Sequence, residues 1–228
     1  WADTFNNHFR PATAVAAAEV LQRAGYEVIV PPKRICCGRP LYDWGFLDRA
    51  KKLLRETLDV LAPYLDEGLP VVGLEPSCIT VFRDELLNLY PNDARAKQLA
   101  KSALMLSEFL LREQVPLPRI DGKAIVQAHC HHKSVIRFDA EEAVLRSTGL
   151  QVEHPDSGCC GMAGAFGFER HHYDISQRVG ERVILPLVRE SANETLIIAD
   201  GFSCREQIEQ STGRTTLHLA EVLARAQT

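Results

Sequence analysis

The chain has 228 residues, 46% of them hydrophobic, enough for one large or two small domains with a sizeable buried core. A formal net charge of -4, with no dense Lys/Arg stripe interleaved with aromatics, excludes a nucleic-acid binder. No run approaches the roughly eighteen apolar residues of a membrane span, and Trp1-Ala2-Asp3-Thr4 does not begin a signal peptide, so a soluble, cytoplasmic protein is expected.

Pro11 opens an alanine-rich helix to about Ala24, which Gly25 is placed to end. Tyr26 to Val30 alternates and is β-branched, predicting a strand stopped by Pro31-Pro32. After Ile35-Cys36-Cys37-Gly38-Arg39-Pro40, the residues Leu47, Ala50, Leu54, Leu58, Leu61 and Leu65 recur at helical spacing and predict a long amphipathic helix. Val71 to Leu74 reads as a short strand, followed by Glu75-Pro76-Ser77-Cys78. Two helices are predicted near 79–89 and 93–113, before Pro116 and Pro118 mark a linker.

The order then recurs. Lys123 to Ala128 reads as a strand running into His129-Cys130-His131-His132-Lys133; Asp139 and Glu142 suggest a capping box for a helix that Gly149 ends. Gln151 to His154 is a short strand, then come Ser157-Gly158-Cys159-Cys160-Gly161-Met162-Ala163-Gly164 and a long helix carrying Ile175, Val179, Val183 and Leu187, kinked at Pro186. Thr195 to Asp200 is a strand, Gly201-Phe202-Ser203-Cys204 follows it, and a helix from Leu217 to Ala226 closes the chain.

The expected fold is α/β, with two tandem pseudo-symmetric repeats over 1–115 and 116–228, each a small, mainly parallel sheet flanked by helices. In such sheets ligands collect beyond the strands' carboxyl ends, where the cysteine motifs fall. Aligning the halves sets Thr4 opposite Cys130. Gly122 to His129 lead into Cys130 but only three residues precede Thr4, so the first strand reads as cut short and the chain as a C-terminal piece of something longer.

Seven cysteines, two pairs of them adjacent with Cα atoms about 3.8 Å apart, suit a disulfide framework poorly and point to metal or redox chemistry. Cys130, Cys159, Cys160 and Cys204, from three strand ends, can surround a metal or iron–sulfur cluster with soft donors. Gly161 and its neighbouring glycines would let backbone N–H groups approach the sulfurs. The first half offers only Cys36, Cys37 and Cys78, with Thr4 in the fourth place and Asn6, Asn7 and His8 nearby, so that site could hold a metal through a nitrogen or oxygen ligand or be empty. His129, His131, His132, Lys133 and Arg205 are candidates for proton or substrate contacts beside the thiolates, and Asp200, Glu75 and Arg83 are polar strand-end residues of similar standing.

These motifs, with Leu41-Tyr42, Leu74 and Asp200 through Glu206 beside them, resemble the cysteine-rich CCG domain family, of the heterodisulfide reductase B subunit and glycolate oxidase iron–sulfur subunit type. The resemblance covers essentially the whole chain as two copies and looks most like the C-terminal part of FAD-linked oxidases fused to iron–sulfur modules. It implies electron transfer from a reduced flavin, on an N-terminal domain outside this chain, through iron–sulfur centres to a terminal acceptor. The implied partners are the flavin and ferredoxin-like modules of the same polypeptide or complex, and any membrane contact, on the inner face, would run through partners. Two departures stand out: Thr4 replaces the first cysteine of the first repeat, and Ile79-Thr80 and Arg205-Glu206 follow the last cysteines without a further one. A 4Fe-4S cluster in the second repeat is therefore expected rather than a five-thiolate non-cubane one. Two other readings stay open: a structural zinc or scaffold module without redox activity, and thiol catalysis at Cys130.

Overall fold

Strands and helices alternate through both halves of the computed structural model, which describes residues 1–226. The chain divides into two units, Trp1–Glu113 and Gln114–Thr228.

The first unit begins with a π-helical turn, Phe5–Phe9, and continues through α1 (Pro11–Arg23), α2 (Arg39–Asp43) and α3 (Leu47–Asp66). Then come β1 (Val71–Gly73), α4 (Pro76–Arg83), α5 (Glu85–Leu89), α6 (Ala94–Ser102), β2 (Ala103–Met105) and α7 (Leu106–Arg112). Proline stands at the start of α1, α2 and α4, where its missing N–H removes no intrahelical bond. One face of α3 is buried through Leu54, Leu58, Leu61 and Leu65, each such side chain contributing about 1.5–3 kcal/mol. β1 and β2 pair in parallel, Val71 opposite Ala103 and Gly73 opposite Met105. A β-carbon on Gly73 would lie 2.3 Å from Ile79 Cδ1, so the glycine lets α4 fold back tightly on β1. Glu75 caps α4 by accepting from the Ser77 N–H, which puts Cys78 in the helix's first turn.

Three expectations fail in this unit, the first being the helix expected near 79–89, which is broken at Asp84 into α4 and α5. Residues 26–30 form no strand, and Ile29 and Val30 are exposed. In the second unit the corresponding segment, 151–153, is a strand because it pairs with 123–125, whereas 26–30 has no such hydrogen-bonded neighbour among the described residues. The helix expected over 93–113 is interrupted by β2. Ala103 and Met105 favour helix, but β1 needs a hydrogen-bonded neighbour, and Arg83 fixes the new strand by donating from Nε and Nη2 to the Ala103 carbonyl at 3.0 and 2.7 Å.

The second unit runs β3 (Lys123–Val126), a π-helical turn His132–Ile136, α8 (Asp139–Ser147), β4 (Gln151–Glu153) and a 3-10 turn Phe166–Phe168. It continues through α9 (Tyr173–Gly180), α10 (Ile184–Glu190), β5 (Leu196–Ile198), α11 (Phe202–Thr212), β6 (Thr216–Leu217) and α12 (Leu219–Arg225). Its sheet is parallel throughout in the order β4-β3-β5-β6, with Ala124 between Val152 and Leu196. Ile125, Ile197, Ile184, Leu185, Val188 and Ile208 form a core between sheet and helices. Two α/β repeats, each a small parallel sheet flanked by helices, are thus present as expected.

Here too details differ from expectation. Asp139 is the first residue of α8, not its cap; it pairs with Arg137, whose φ of 76° turns the chain into the helix, while Glu142 accepts from Arg146. The long helix through Ile175 and Leu187 is broken into α9 and α10 over 181–183, because Pro186 can occupy only the first turn of a new helix. Gly180 sits at the break, where a β-carbon would meet Leu185 and the Cys160 carbonyl at 2.8 and 2.9 Å.

The repeats match in local detail. A π-helical turn follows Thr4 in one and Cys130 in the other. In each unit an arginine on the helix that carries the Ser-Cys, five residues after Cys78 and one after Cys204, holds the next strand and the glutamate that caps the following helix: Arg83 bonds Ala103 and Glu108, and Arg205 bonds Thr216 and Glu221.

Candidate metal centre

Cys159 and Cys160 lie in a loop whose backbone turns left-handed at Gly158, Gly161, Ala163 and Gly164. That geometry aims N–H groups inward: Gly161 N–H donates to Cys159 Sγ at 3.3 Å, and Ala163 N–H bonds the same sulfur. Only glycine fits position 161, where a β-carbon would lie 2.1 Å from the Ser176 carbonyl oxygen. Gln207, on α11, fastens the loop by donating to the Cys160 and Ser176 carbonyls at 3.0 and 3.1 Å.

Cys204, in the first turn of α11, shares a buried cluster with Cys160, and Cys130, just before the π-helical turn, interacts electrostatically with Cys159 and Cys204. Cys130 is exposed, Cys159 half-buried, and Cys160 and Cys204 buried. Cys159 is drawn down to about 2 by bonds from Cys130 and Cys160 and by the two backbone N–H groups, against the effect of burial. Its neighbours go the other way: Cys130 is pushed up by its bond to Cys159 and by burial, and Cys160 by Cys159, Cys204 and burial. The interactions thus favour a thiolate on Cys159 and S–H groups on Cys130 and Cys160. Four soft donors of this kind suit iron–sulfur clusters or zinc.

In the first unit Cys37 Sγ and Cys78 Sγ are 3.0 Å apart, Cys36 adjoins Cys37, and the Thr4 side chain bonds Cys36. A hydroxyl, not a fourth sulfur, therefore stands beside Cys36. Thr4, Asn7, His8 and Cys36 line a cavity of about 320 Å³, whereas Asn6 is turned away, its amide and backbone N–H both bonded to the Asp3 carboxylate.

The family described as cysteine-rich domain, CCG, matches residues 4–83 and 130–209, starting at Thr4 and at Cys130. The chain belongs to that family. Among curated relatives it is 30% identical, over 97% of its length and 57% of theirs, to the C subunit of the anaerobic glycerol-3-phosphate dehydrogenase of Escherichia coli K12. It is 28% identical to the D-2-hydroxyglutarate dehydrogenase of Pseudomonas putida KT2440, over 97% of this chain but 21% of that protein. Lactate utilization protein A of Bacillus subtilis 168 is 32% identical over 94% of this chain and 93% of its own length. The chain thus spans little more than half of the first relative and about a fifth of the second.

The remaining candidates of the second CCG repeat divide into two groups. His129 and Lys133 stay near the thiols. The His129 ring lies against Gly201, whose added β-carbon would come within 2.3 Å of it, and its Nδ1 accepts from the His131 N–H at 3.2 Å. The Lys133 ammonium favours the Cys130 thiolate and reaches Asp156 at 3.7 Å. His131 is half-buried beside His129, their ring centroids 5.3 Å apart. Arg205 and His132 turn into the protein instead, Arg205 to Thr216 and Glu221 and His132 to Glu141.

Sequence reasoning missed Glu141 and His218. His132, Glu141 and Asp200 form a fully or almost fully buried group whose donor atoms all lie within 4.8 Å of one another, and His218 Nε2 is 3.4 Å from Asp200 Oδ1. Burial, then the nearby Asp200 carboxylate, raises Glu141 well above the ordinary carboxylate range. Burial opposes ionisation of Asp200, but His218, the Glu141 side chain, the Leu219 N–H and His132 outweigh it and hold its pKa low. A signal was present: Glu141 shares a helix face with the buried Val144, Leu145 and Thr148, at spacings of three, four and seven. Among the described residues no helix is long and apolar enough to cross a membrane.

Proposed function

We propose that this chain is the iron–sulfur electron-transfer module of a larger flavin-linked oxidoreductase that oxidises a 2-hydroxy acid such as lactate, glycolate or 2-hydroxyglutarate. The observation that carries the reading is the convergence of Cys130, Cys159, Cys160 and Cys204, with backbone N–H groups on Cys159 Sγ. These four residues would hold a 4Fe-4S cluster, which accepts and passes on one electron at a time. The Gly161 and Ala163 N–H groups and Lys133 would offset negative charge on the sulfurs, and exposed Cys130 marks the side open to a redox partner. The substrate class is supported by the names of similar proteins, which include D-2-hydroxyglutarate dehydrogenase, Lactate utilization protein A and glycolate oxidase iron–sulfur subunit.

In this reading substrate oxidation takes place on an FAD-bearing segment outside the chain, and ferredoxin-like modules lie between it and this one. The arrangement suits a protein on the cytoplasmic side, meeting the membrane only through partners. The first CCG repeat, with three sulfurs and the Thr4 hydroxyl, is the weaker site. Low-temperature EPR of the anaerobically purified, dithionite-reduced chain tests the proposal. An iron–sulfur signal that disappears in Cys160→Ser is expected, and a silent protein carrying zinc alone would overturn it in favour of a structural metal.

A further inference from the structure

Glu141 is fully buried, and neither of its carboxylate oxygens has a hydrogen-bond donor in bonding geometry. The side chain points into a small group of buried ionisable residues. His132 Nδ1 lies 3.5 Å from Glu141 Oε2, and the donor atoms of His132, Glu141 and Asp200 all fall within 4.8 Å of one another. Their segments are separate in sequence: the turn after Cys130, α8 and the end of β5. Among the described residues no lysine or arginine pairs with Glu141 or Asp200.

Two carboxylates removed from water with imidazoles but no lysine or arginine beside them are costly unless negative charge is cancelled, by a shared proton or by a cation. We infer that His132, Glu141 and Asp200 form a site for one divalent cation of the kind bound by imidazole and carboxylate donors, separate from the thiolate centre. An ion about 2.0–2.2 Å from each donor can bridge a group of this size. The surroundings hold Asp200 ready for that role. His218 Nδ1 accepts from the Ala220 N–H at 3.0 Å, which assigns the ring proton to Nε2, facing Asp200 Oδ1 at 3.4 Å. The same Oδ1 accepts from the Leu219 N–H at 2.9 Å, which fixes the carboxylate's orientation toward the group. The cation would tie the segments that follow Cys130 and precede Cys204 to α8. It is thus a structural ion for the metal centre's walls, and the inference stands whether or not a cluster occupies the thiolates.

Mn²⁺ is the probe, because thiolates are poor ligands for it and nitrogen and oxygen donors are good ones. The full chain is titrated under reducing conditions and bound Mn²⁺ is counted by EPR. One Mn²⁺ per chain is expected in the wild type and in Cys160→Ser, with at least tenfold weaker binding in Glu141→Gln. Absence of a stoichiometric site, or equal binding by wild type and Glu141→Gln, would overturn the inference and leave a proton shared between Glu141 and Asp200. If Glu141→Gln does not fold, the wild-type melting temperature decides: a rise that saturates at one Mn²⁺ per chain supports the site, and no rise overturns it.

Discussion

Gly161 packs so closely on Ser176 that no other residue can stand there: the β-carbon of an alanine would lie 2.1 Å from the Ser176 carbonyl oxygen and 2.9 Å from Gln207 Nε2. The backbone at 161 also has a φ of 105°, outside the range that side chains tolerate. Gly161→Ala therefore has to move the loop that carries Cys159 and Cys160. A loss of at least about 1–3 kcal/mol is expected from the backbone conformation alone. Iron content should fall together with the chemical-denaturation midpoint, and a variant matching wild type in both would show that the loop geometry is not needed.

The clasp between Arg205 and Glu221 should matter for stability without touching the thiols. Arg205 is buried and bonds Thr216 Oγ1, the Thr216 carbonyl and Glu221. Arg205→Ala leaves Glu221 in a mostly buried place without its cation, a change that costs about 3–5 kcal/mol. Urea denaturation would show this. Glu221→Gln, which keeps a hydrogen-bonding shape, should cost less, and its EPR line shape should match wild type.

The candidate metal centre was legible because its cysteines sit in unusual sequence. Adjacent cysteines followed by glycine have no reason to occur twice in a core, and the positive φ at Gly38 and Gly161 gives each glycine its backbone role. The order of the repeats was legible for a similar reason, since proline and glycine mark most element ends. β2 was not, because Ala103, Leu104 and Met105 favour helix and become a strand only when β1 offers them an edge. Glu141 was hidden by its neighbours: Asp139, Glu141 and Glu142 read together as the acidic first turn of a surface helix, although Glu141 alone faces inward. Arg205, expected near the thiolates, was drawn off by a distant carboxylate that local sequence does not reveal.

Asp93 offers a test of pH dependence away from the metal centre. It caps α6 by accepting from the Arg95 and Ala96 N–H groups and pairs with Arg55 at 2.7 Å. Slight burial pushes its pKa up, but the Arg55 pair and the two N–H groups outweigh that and bring it below the ordinary 3.8. A carboxylate whose pKa is lowered by folding stabilises the protein fully above the unfolded value and loses that contribution as pH falls through the folded one. Asp93→Ala should cost about 1 kcal/mol at pH 7, a figure typical of a helix cap on the surface. The difference between the two proteins should shrink below about pH 3.8, and a constant difference down to pH 3 would contradict this assignment.

Thr4 sets the two CCG repeats apart, since its hydroxyl bonds Cys36 where the second repeat has Cys130 beside Cys159. Thr4→Cys supplies the missing thiol. If the first site is limited by donor number, this variant should bind additional metal per chain under anaerobic reconstitution, read by elemental analysis, while wild type does not. Equal metal content in the two would show that some other feature of the first unit governs binding.

The central claim is that Cys130, Cys159, Cys160 and Cys204 together hold one iron–sulfur cluster. Iron and acid-labile sulfide per chain, measured after anaerobic purification of wild type and Cys204→Ser, test it most directly. About four of each in wild type, with both lost in Cys204→Ser, is the expected result for a cluster held by four thiolates. Stoichiometric zinc without sulfide, or iron and sulfide undiminished in Cys204→Ser, would contradict it.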